Sequence, residues 1–374
     1  MKKSAFALIS SLLLGTAAHA QSSVTLYGVI DEGLTYTSNT GGHSAWQLAG
    51  SDIQGNRWGL RGNEDLGGGL AAQFVLESGF NLSNGTFQQG GRLFGRQAYV
   101  GLSSNRWGTV TLGRQYDPLI SYVATLTSNG GWGGLLFTHP LDNDNMDDFY
   151  RINNAVKYAS PDIAGLTFGS MYAFSNSTGF ADNRAWSVAA RYTHGPFTLA
   201  AGYMDMTNPG TSCGGAVAGG TAAACGVTGD ATFTAAKQRI FASGAGYSFG
   251  PAIFNLTYTN SYVGNAVSPS AYQSSSLRFN NIEFNARYSL TASLMLGAMY
   301  DYTNFTKHGG AGNPSGHWNE FGVLADYLLS KRTDVYFQGV HQRGSGVTAN
   351  ILGSAGASSS GIQTVARIGL RHRF

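Results

Sequence analysis

After its first twenty-odd residues the chain is one repeated phrase: about ten residues alternating apolar and polar, then by turns a tight corner or a long polar loop. The final segment shows the pattern. Ala366, Ile368, Leu370, His372 and Phe374 share one face, and Arg367, Arg371 and Arg373 share the other. A soluble sandwich would bury the apolar face of such a strand and wet the charged one, so a single strand decides nothing. Some sixteen of them, with no helix to cover them and a secretion signal in front, require a different solution: a sheet closed on itself, apolar face outward, in an outer membrane.

Residues 1–20 read as that signal. Lys2 and Lys3 form a positive start, Phe6 to Leu14 an apolar run, and Ala18-His19-Ala20 a small-x-small cleavage site. The remaining chain, 21–374, is expected to be a single transmembrane barrel domain. Without the two signal lysines its basic and acidic residues nearly cancel, which argues against a nucleic-acid binder, since that needs a concentrated basic field. Only 11% of residues are charged, where a soluble protein carries about a quarter. No later stretch approaches the roughly 18–20 apolar residues of a spanning helix. Lipid demands that every backbone donor and acceptor be paired internally, and a barrel meets that demand.

Strands are expected near 23–36, 54–63, 70–81, 93–103, 108–116, 151–160, 164–175, 185–194, 197–206, 237–249, 252–263, 279–289, 292–304, 317–329, 333–343 and 362–374. That is an even number, as single-chain bacterial barrels have, and the connections alternate short and long as periplasmic turns and outer loops do. Tyr158, Tyr192, Tyr247, Phe249, Tyr288 and Tyr327 sit near the short turns, where an interfacial aromatic girdle belongs. One place breaks the pattern: Val110, Leu112 and Arg114 share a parity, which calls for a bulge or a protein-covered outer face. A sixteen-stranded barrel is wide enough to hold water, whereas eight strands are filled by their own side chains.

Catalysis has little support. Gly246-Tyr247-Ser248-Phe249-Gly250 matches a G-x-S-x-G string, but that nucleophile needs a strand-turn-helix elbow and here Pro251 and another strand follow. The histidines are scattered without metal spacing. Cys213 and Cys225, the only cysteines, are expected to close a local disulfide in an oxidising compartment. The longest connection, 117–150, carries Asp142, Asp144, Asp147 and Asp148. These offer oxygen ligands for calcium, yet no EF-hand spacing follows. Long structureless connections in compact proteins are usually functional. No enzyme activity, cofactor or resident metal is expected.

Ser23-Val24-Thr25-Leu26-Tyr27-Gly28-Val29-Ile30-Asp31, the run Arg57 to Leu70 (RWGLRGNEDLGGGL) and Gly108 to Gln115 (GTVTLGRQ) resemble the general diffusion porins of Gram-negative bacteria, above all the β-proteobacterial Burkholderia, Bordetella, Comamonas and Neisseria branch. The terminal Phe374 resembles the aromatic end that the outer-membrane assembly machinery reads in that family. The resemblance implies a homotrimer of sixteen-stranded antiparallel barrels, embedded among outer-membrane lipid and lipopolysaccharide. Each barrel has its own pore for ions and small hydrophilic solutes, narrowed by a third outer loop folded into the lumen. It assigns the constriction to a basic wall of Arg57, Arg61, Arg96, Arg114 and Arg151 facing an acidic loop of Asp142, Asp144, Asp147 and Asp148. Guanidinium groups stay charged at any working pH. Arginines outnumber acids at such a wall, so the expected selectivity is weakly to moderately anionic. A solute-specific channel for sugars or organic acids, and a barrel adhesin without a pore, are the alternatives.

Overall fold

The computed structural model describes residues 23–219, 230, 232–310 and 314–374, so the expected signal segment and Cys225 lie outside the described residues. Seventeen strands form one closed antiparallel sheet: β1 Ser23–Thr40, β2 His43–Gly50, β3 Arg57–Gly67, β4 Leu70–Gly79, β5 Gln97–Ser104, β6 Gly108–Gln115, β7 Ile152–Ala159, β8 Leu166–Ala173, β9 Arg184–His194, β10 Phe197–Thr207, β11 Thr234–Phe249, β12 Ala252–Ser268, β13 Ser275–Ser289, β14 Leu294–Gly309, β15 Ser315–Leu328, β16 Thr333–Ser345 and β17 Ile362–Arg373. From β3 to β17 successive strands pair with one another, and β17 closes the ring on β1, from Val29 opposite Arg373 to Thr37 opposite Val365. β2 and β3 pair with the upper and lower parts of the same edge of β1, so they are two halves of one wall position and the barrel has sixteen staves.

Burial is inverted relative to a soluble protein. On β13, Ile282 and Phe284 are about half exposed while Glu283 and Asn285 are fully buried. On β17, Ile368 and Leu370 are exposed while Arg367 and Arg371 are buried. The exposed apolar side chains face lipid, and the buried polar ones face a partly filled lumen. The aromatics beside the short turns, Tyr192, Tyr247, Phe249, Tyr288 and Tyr327, are all exposed on the outward face. The terminal strand is tied in by reciprocal backbone bonds between Phe374 and Gly28 of 3.0 and 3.1 Å. Gly28 is required there, because a β-carbon would lie 2.3 Å from the Phe374 ring.

The irregular strand resolves as a bulge. Register shifts between Gly113 and Gln115 on β6, where Gly113 takes φ +135°, and this turns Arg114 inward although Val110 and Leu112 point outward. Only glycine tolerates that backbone at no cost.

Residues 116–151 lie against inward-pointing side chains of the wall. The segment opens with a short helix α1, Pro118–Tyr122, capped by Asp117, whose carboxylate accepts from the Leu119 N–H at 2.7 Å. Leu119, Tyr122, Val123, Leu126 and Tyr150 then pack on small or flexible wall residues such as Ala189, Ala200, Ala242, Met171 and Met204. Farther on, Trp132, Leu136 and Phe137 pack on Met299, Leu324, Val340 and Val365. Two wall glycines receive the rings: a β-carbon at Gly297 would sit 2.5 Å from Trp132, and one at Gly322 would sit 2.4 Å from Phe137. Gly322→Leu is therefore expected to dislodge the Phe137 end of this loop and speed its cleavage by added protease. An unaltered cleavage rate would show that the loop seats without this contact.

Candidate functional site

Between the 116–151 loop and the wall formed by β3 to β7 lies a polar cavity of about 470 Å³. Arg57 from β3, Glu77 from β4, Arg96 just before β5, Arg151 just before β7, and Asp147 and Asp148 from the loop line it together. The β-sheet parity places the wall residues: Gly59 is opposite Glu77 and Glu77 opposite Gln97, so Arg57 and Glu77 project to the same inner face.

These charges form a connected chain. Glu77 accepts from Arg96 Nε at 3.0 Å and from the Tyr27 hydroxyl at 2.9 Å, and Arg57 Nε stands 3.6 Å from it. Arg57 also donates to the Gly55 carbonyl at 2.9 Å. Asp148 is bracketed by Arg151 at 2.6 Å and Arg96 at 3.6 Å. The Tyr116 ring lies under both guanidinium groups, at 5.9 Å from Arg96 and 5.6 Å from Arg151. Arginines tolerate such stacking because their charge is spread over a plane. Asp147 differs from Asp148. Burial, with Asp142 and Asp148 beside it, holds its carboxyl well above the usual carboxylate range. Asp52, also at the cavity, is pushed up to about 7 by burial, against the opposing pull of Arg367.

The residues expected at a constriction thus divide. Arg57, Arg96, Arg151, Asp147 and Asp148 are brought together. Arg61 is not: it lies toward a short turn, in a separate recess with Thr25, Asn63, Gln73 and Tyr99, its guanidinium 5.4 Å from the Tyr27 ring. Arg114 is turned by the bulge into the packing behind the cavity, donating to the carbonyls of Gly95 and Arg151 and standing 3.0 Å from Asp230.

Asp142 and Asp144 do not face the cavity either. Asp142 accepts from the backbone N–H groups of Asp147 and Phe149, shaping the turn, and burial with Asp144 nearby raises its carboxyl to about 8. Asp144 faces the wall, where it bonds His139 at 2.7 Å, Thr259 at 2.5 Å and Asn281 at 3.2 Å. Cys213 is disulfide-bonded; Cys225 lies outside the described residues.

Two features escaped the sequence reading. Glu77 has the inward parity of Gln73 and Val75 on its strand, so counting alternate residues from Arg57 across the hairpin would have found it. The other is the loop's attachment. His139 Nδ1 meets Asp144 at 2.7 Å, while its Nε2 lies 3.3 Å from Glu283 and 3.5 Å from Asp301. Burial alone would lower the imidazole's proton affinity. Asp144 and Asp301, with the hydrogen bonds to Asp144 and Glu283, outweigh that and hold it well above its ordinary value. Glu283 also accepts from the Ser128 N–H at 2.7 Å and hydroxyl at 2.8 Å. Asp52, in the break between β2 and β3, receives Leu135 N–H on its carbonyl at 2.9 Å. There Gly134 adopts φ +75° with no room for a β-carbon, which would lie 2.2 Å from the Asp52 oxygen.

Comparison with known proteins agrees with this architecture. Residues 5–346 match the Gram-negative porin family. An outer membrane porin protein of Bordetella pertussis is 33% identical over the full length of both chains. Outer membrane porin protein 32 of Delftia acidovorans is 37% identical over 54% of this chain and 59% of its own. Among solved structures, the anion-selective porin from Comamonas acidovorans superposes with a TM-score of 0.73 at 23% identity, over 95% of this chain and all of that one. OmpT of Vibrio cholerae in its trimer form superposes with a TM-score of 0.63 at 16% identity, over 94% of this chain and 99% of that one. These relatives are channels, not enzymes. A closed barrel with its apolar face outward and a charged cavity beside an internal loop, in a chain matched over nearly its whole length, belongs to the Gram-negative porin family and is an integral β-barrel protein of the outer membrane.

Proposed function

We propose that the chain forms a water-filled channel for passive diffusion of ions and small hydrophilic solutes, with a weak to moderate preference for anions, and that it works as a homotrimer. The observation that carries the preference is the charge at the cavity. Arg57, Arg96 and Arg151 face Glu77 and Asp148, while burial beside Asp142 and Asp148 disfavours the charged form of Asp147. One positive charge is left over. The arrangement is also less of a transverse field than an acidic loop opposite a basic wall would make, since Asp148 is pinned to two arginines and Glu77 sits among them on the wall side. Such a site sorts ions by sign more than it orients dipoles. The sense agrees with the Comamonas neighbour, which is described as anion-selective.

The test is single-channel conductance in a planar bilayer, with the reversal potential under a salt gradient. Large steps proportional to bulk salt, closing in thirds, with a chloride-directed reversal potential, are expected. Small saturating currents would favour the solute-specific alternative, and absence of current from a folded barrel would favour an adhesin. Phe374 is proposed as the signal read by the assembly machinery, and its outer surface as the contact with lipid and lipopolysaccharide. Phe374→Ser is expected to lower the yield of folded barrel in cells while leaving refolded channels conducting.

The sign of the pH dependence follows from Asp147 and Asp52. Burial raises both carboxyls, Asp52 to about 7, so Asp52 is largely protonated in mild acid and gains negative charge as pH climbs through about 7, and the raised Asp147 acts in the same sense. Anion preference is expected to be greater at pH 6 than at pH 9. A reversal potential that stays constant or grows with pH would contradict this charge assignment.

A further inference from the structure

The charges of the lumen are not matched evenly along its axis. On the outer side and in the middle, arginines have acids beside them: Arg57 and Arg96 have Glu77, Arg151 has Asp148, Arg114 has Asp230, and Arg367 has Asp31 and Asp52. Nearer the short turns the wall also carries Arg371 and Arg373, held by Asp334 and Asp326. Three inward-facing arginines on that side have no carboxylate at ion-pair distance among the described residues: Arg61, Arg191 and Arg287.

Register fixes their height. Arg191 stands three residues before the β9–β10 turn, with Leu199 and Ala200 facing Tyr192 and Arg191 across it. Arg287 stands two residues before the end of β13, opposite Ile253 and Gly297. Short turns mark the periplasmic end. Arg191 is held there by neutral oxygens: it donates to the Tyr122 carbonyl at 2.5 Å and to the Thr125 hydroxyl. The two arginines share a recess of about 260 Å³ under the 116–151 loop with Trp132, Ser248 and Asn255, and no acid lines it. Asp65 and Asp162 on the nearby rim accept from Gly67 N–H and Gly165 N–H in their own turns and line no part of this recess.

We propose that Arg191 and Arg287, with Arg61 across the lumen, form a second selectivity station on the periplasmic side of the constriction, which attracts small inorganic and carboxylate anions and makes the channel electrically asymmetric. It rests on the reading of the protein as a conducting, anion-preferring pore. Charge there is uncompensated, whereas the constriction arginines are mostly neutralised by Glu77 and Asp148, so a larger share of the net positive field arises beneath the loop than at it. A pore with fixed charge displaced to one end passes ions unequally in the two directions once the Debye length exceeds its radius, about 10 Å at 0.1 M salt and 30 Å at 0.01 M.

The experiment is planar-bilayer recording of the full-length protein added from one side, in symmetric KCl between 0.01 and 1 M and under a KCl gradient. It compares the wild type, R191Q/R287Q and R57Q. The wild type is expected to rectify at 0.01–0.1 M and to become ohmic near 1 M. R191Q/R287Q is expected to lose rectification and to lower the chloride-to-potassium permeability ratio by about twofold or more. R57Q is expected to keep the rectification and its direction. A double variant with unaltered rectification and permeability ratio overturns the proposal. If the wild type shows no anion preference, the parent reading fails by itself, and rectification still decides this one: its absence overturns the station, its loss in the double variant upholds it. R287Q alone guards against misfolding of the double variant, because Arg287 makes no hydrogen bond or ion pair among the described residues.

Discussion

Replacing Arg57, Arg96 and Arg151 together by glutamine is expected to reverse the proposed anion preference into a preference for cations. In the native cavity three guanidinium groups hold Glu77 and Asp148 in a chain of contacts between 2.6 and 3.6 Å. Glutamine removes the three positive charges and leaves Glu77 and Asp148 without their cationic partners. The local charge passes from a surplus of one positive to a deficit of two. A unit charge at 4 Å is worth about 1 kcal/mol in water and about 4 kcal/mol at the effective dielectric of a protein surface, so the chloride-to-potassium permeability ratio is expected to fall on the order of tenfold or more. Reversal potential in a salt gradient reads it directly. An unchanged value would mean that ions pass elsewhere than along this cavity. Adding E77Q to the triple variant should recover part of the loss, since it removes one of the two orphaned acids.

The triple also shows where the sequence was legible. Arg57 was assigned by the resemblance of its motif, and its inward direction agrees with the alternation that a lipid face imposes; the same rule gives β17 its apolar outside and its arginines inside. Arg114 could not, because a bulge one residue earlier reverses parity, and sequence warns of a bulge without stating which residue absorbs it. Strand ends were equally hidden. β11 to β14 continue several residues past their expected outer limits, through Thr234, Asn265, Ser275 and Lys307. Above the hydrocarbon both faces are wet, and alternation has no cause there. β2 lay concealed in an expected loop for a related reason: only Trp46 and Leu48 carry its outward face, and small or polar residues fill the rest. Asp142 and Asp144 were found as acids of the right loop, but their direction is set by tertiary contacts with His139, Thr259 and Asn281 that no spacing encodes.

His139→Gln is expected to loosen the constriction loop, lowering the voltage at which the channel closes and raising current noise in the open state. The reason lies in the wall. Glu283 on β13, Asp301 on β14 and Glu320 on β15 stand directly opposite one another in register, and all three are buried. Like charges facing across strands oppose sheet formation, so this row requires a cation. His139 supplies it from the loop, with Asp144 on its other nitrogen, and thereby ties loop to wall. Removing one partner of a buried ion pair costs about 3–5 kcal/mol, because the charges left behind have neither water nor a counterion. Glutamine keeps a hydrogen bond but no charge, so H139Q isolates the electrostatic part, and H139Q/D301N should restore quieter, higher-voltage behaviour by shortening the row of acids. The pH dependence has two edges. His139, raised above its ordinary value, contributes fully below the pH at which a free imidazole titrates, and its contribution is lost as pH rises through the elevated value. Burial acts to raise the Asp144 carboxyl, but the imidazolium overrides it and holds it below the usual range; its contribution is present above the titration of a free carboxylate and lost as pH falls through the depressed value. The loop should be quietest between those edges and noisier in both strong acid and base, whereas H139Q should lose the alkaline edge altogether. Wild-type and H139Q channels that share one closing voltage at pH 7 and one alkaline profile would show that the loop is held by its apolar packing on the wall, with Trp132 and Phe137 seated over Gly297 and Gly322, and not by this ion cluster.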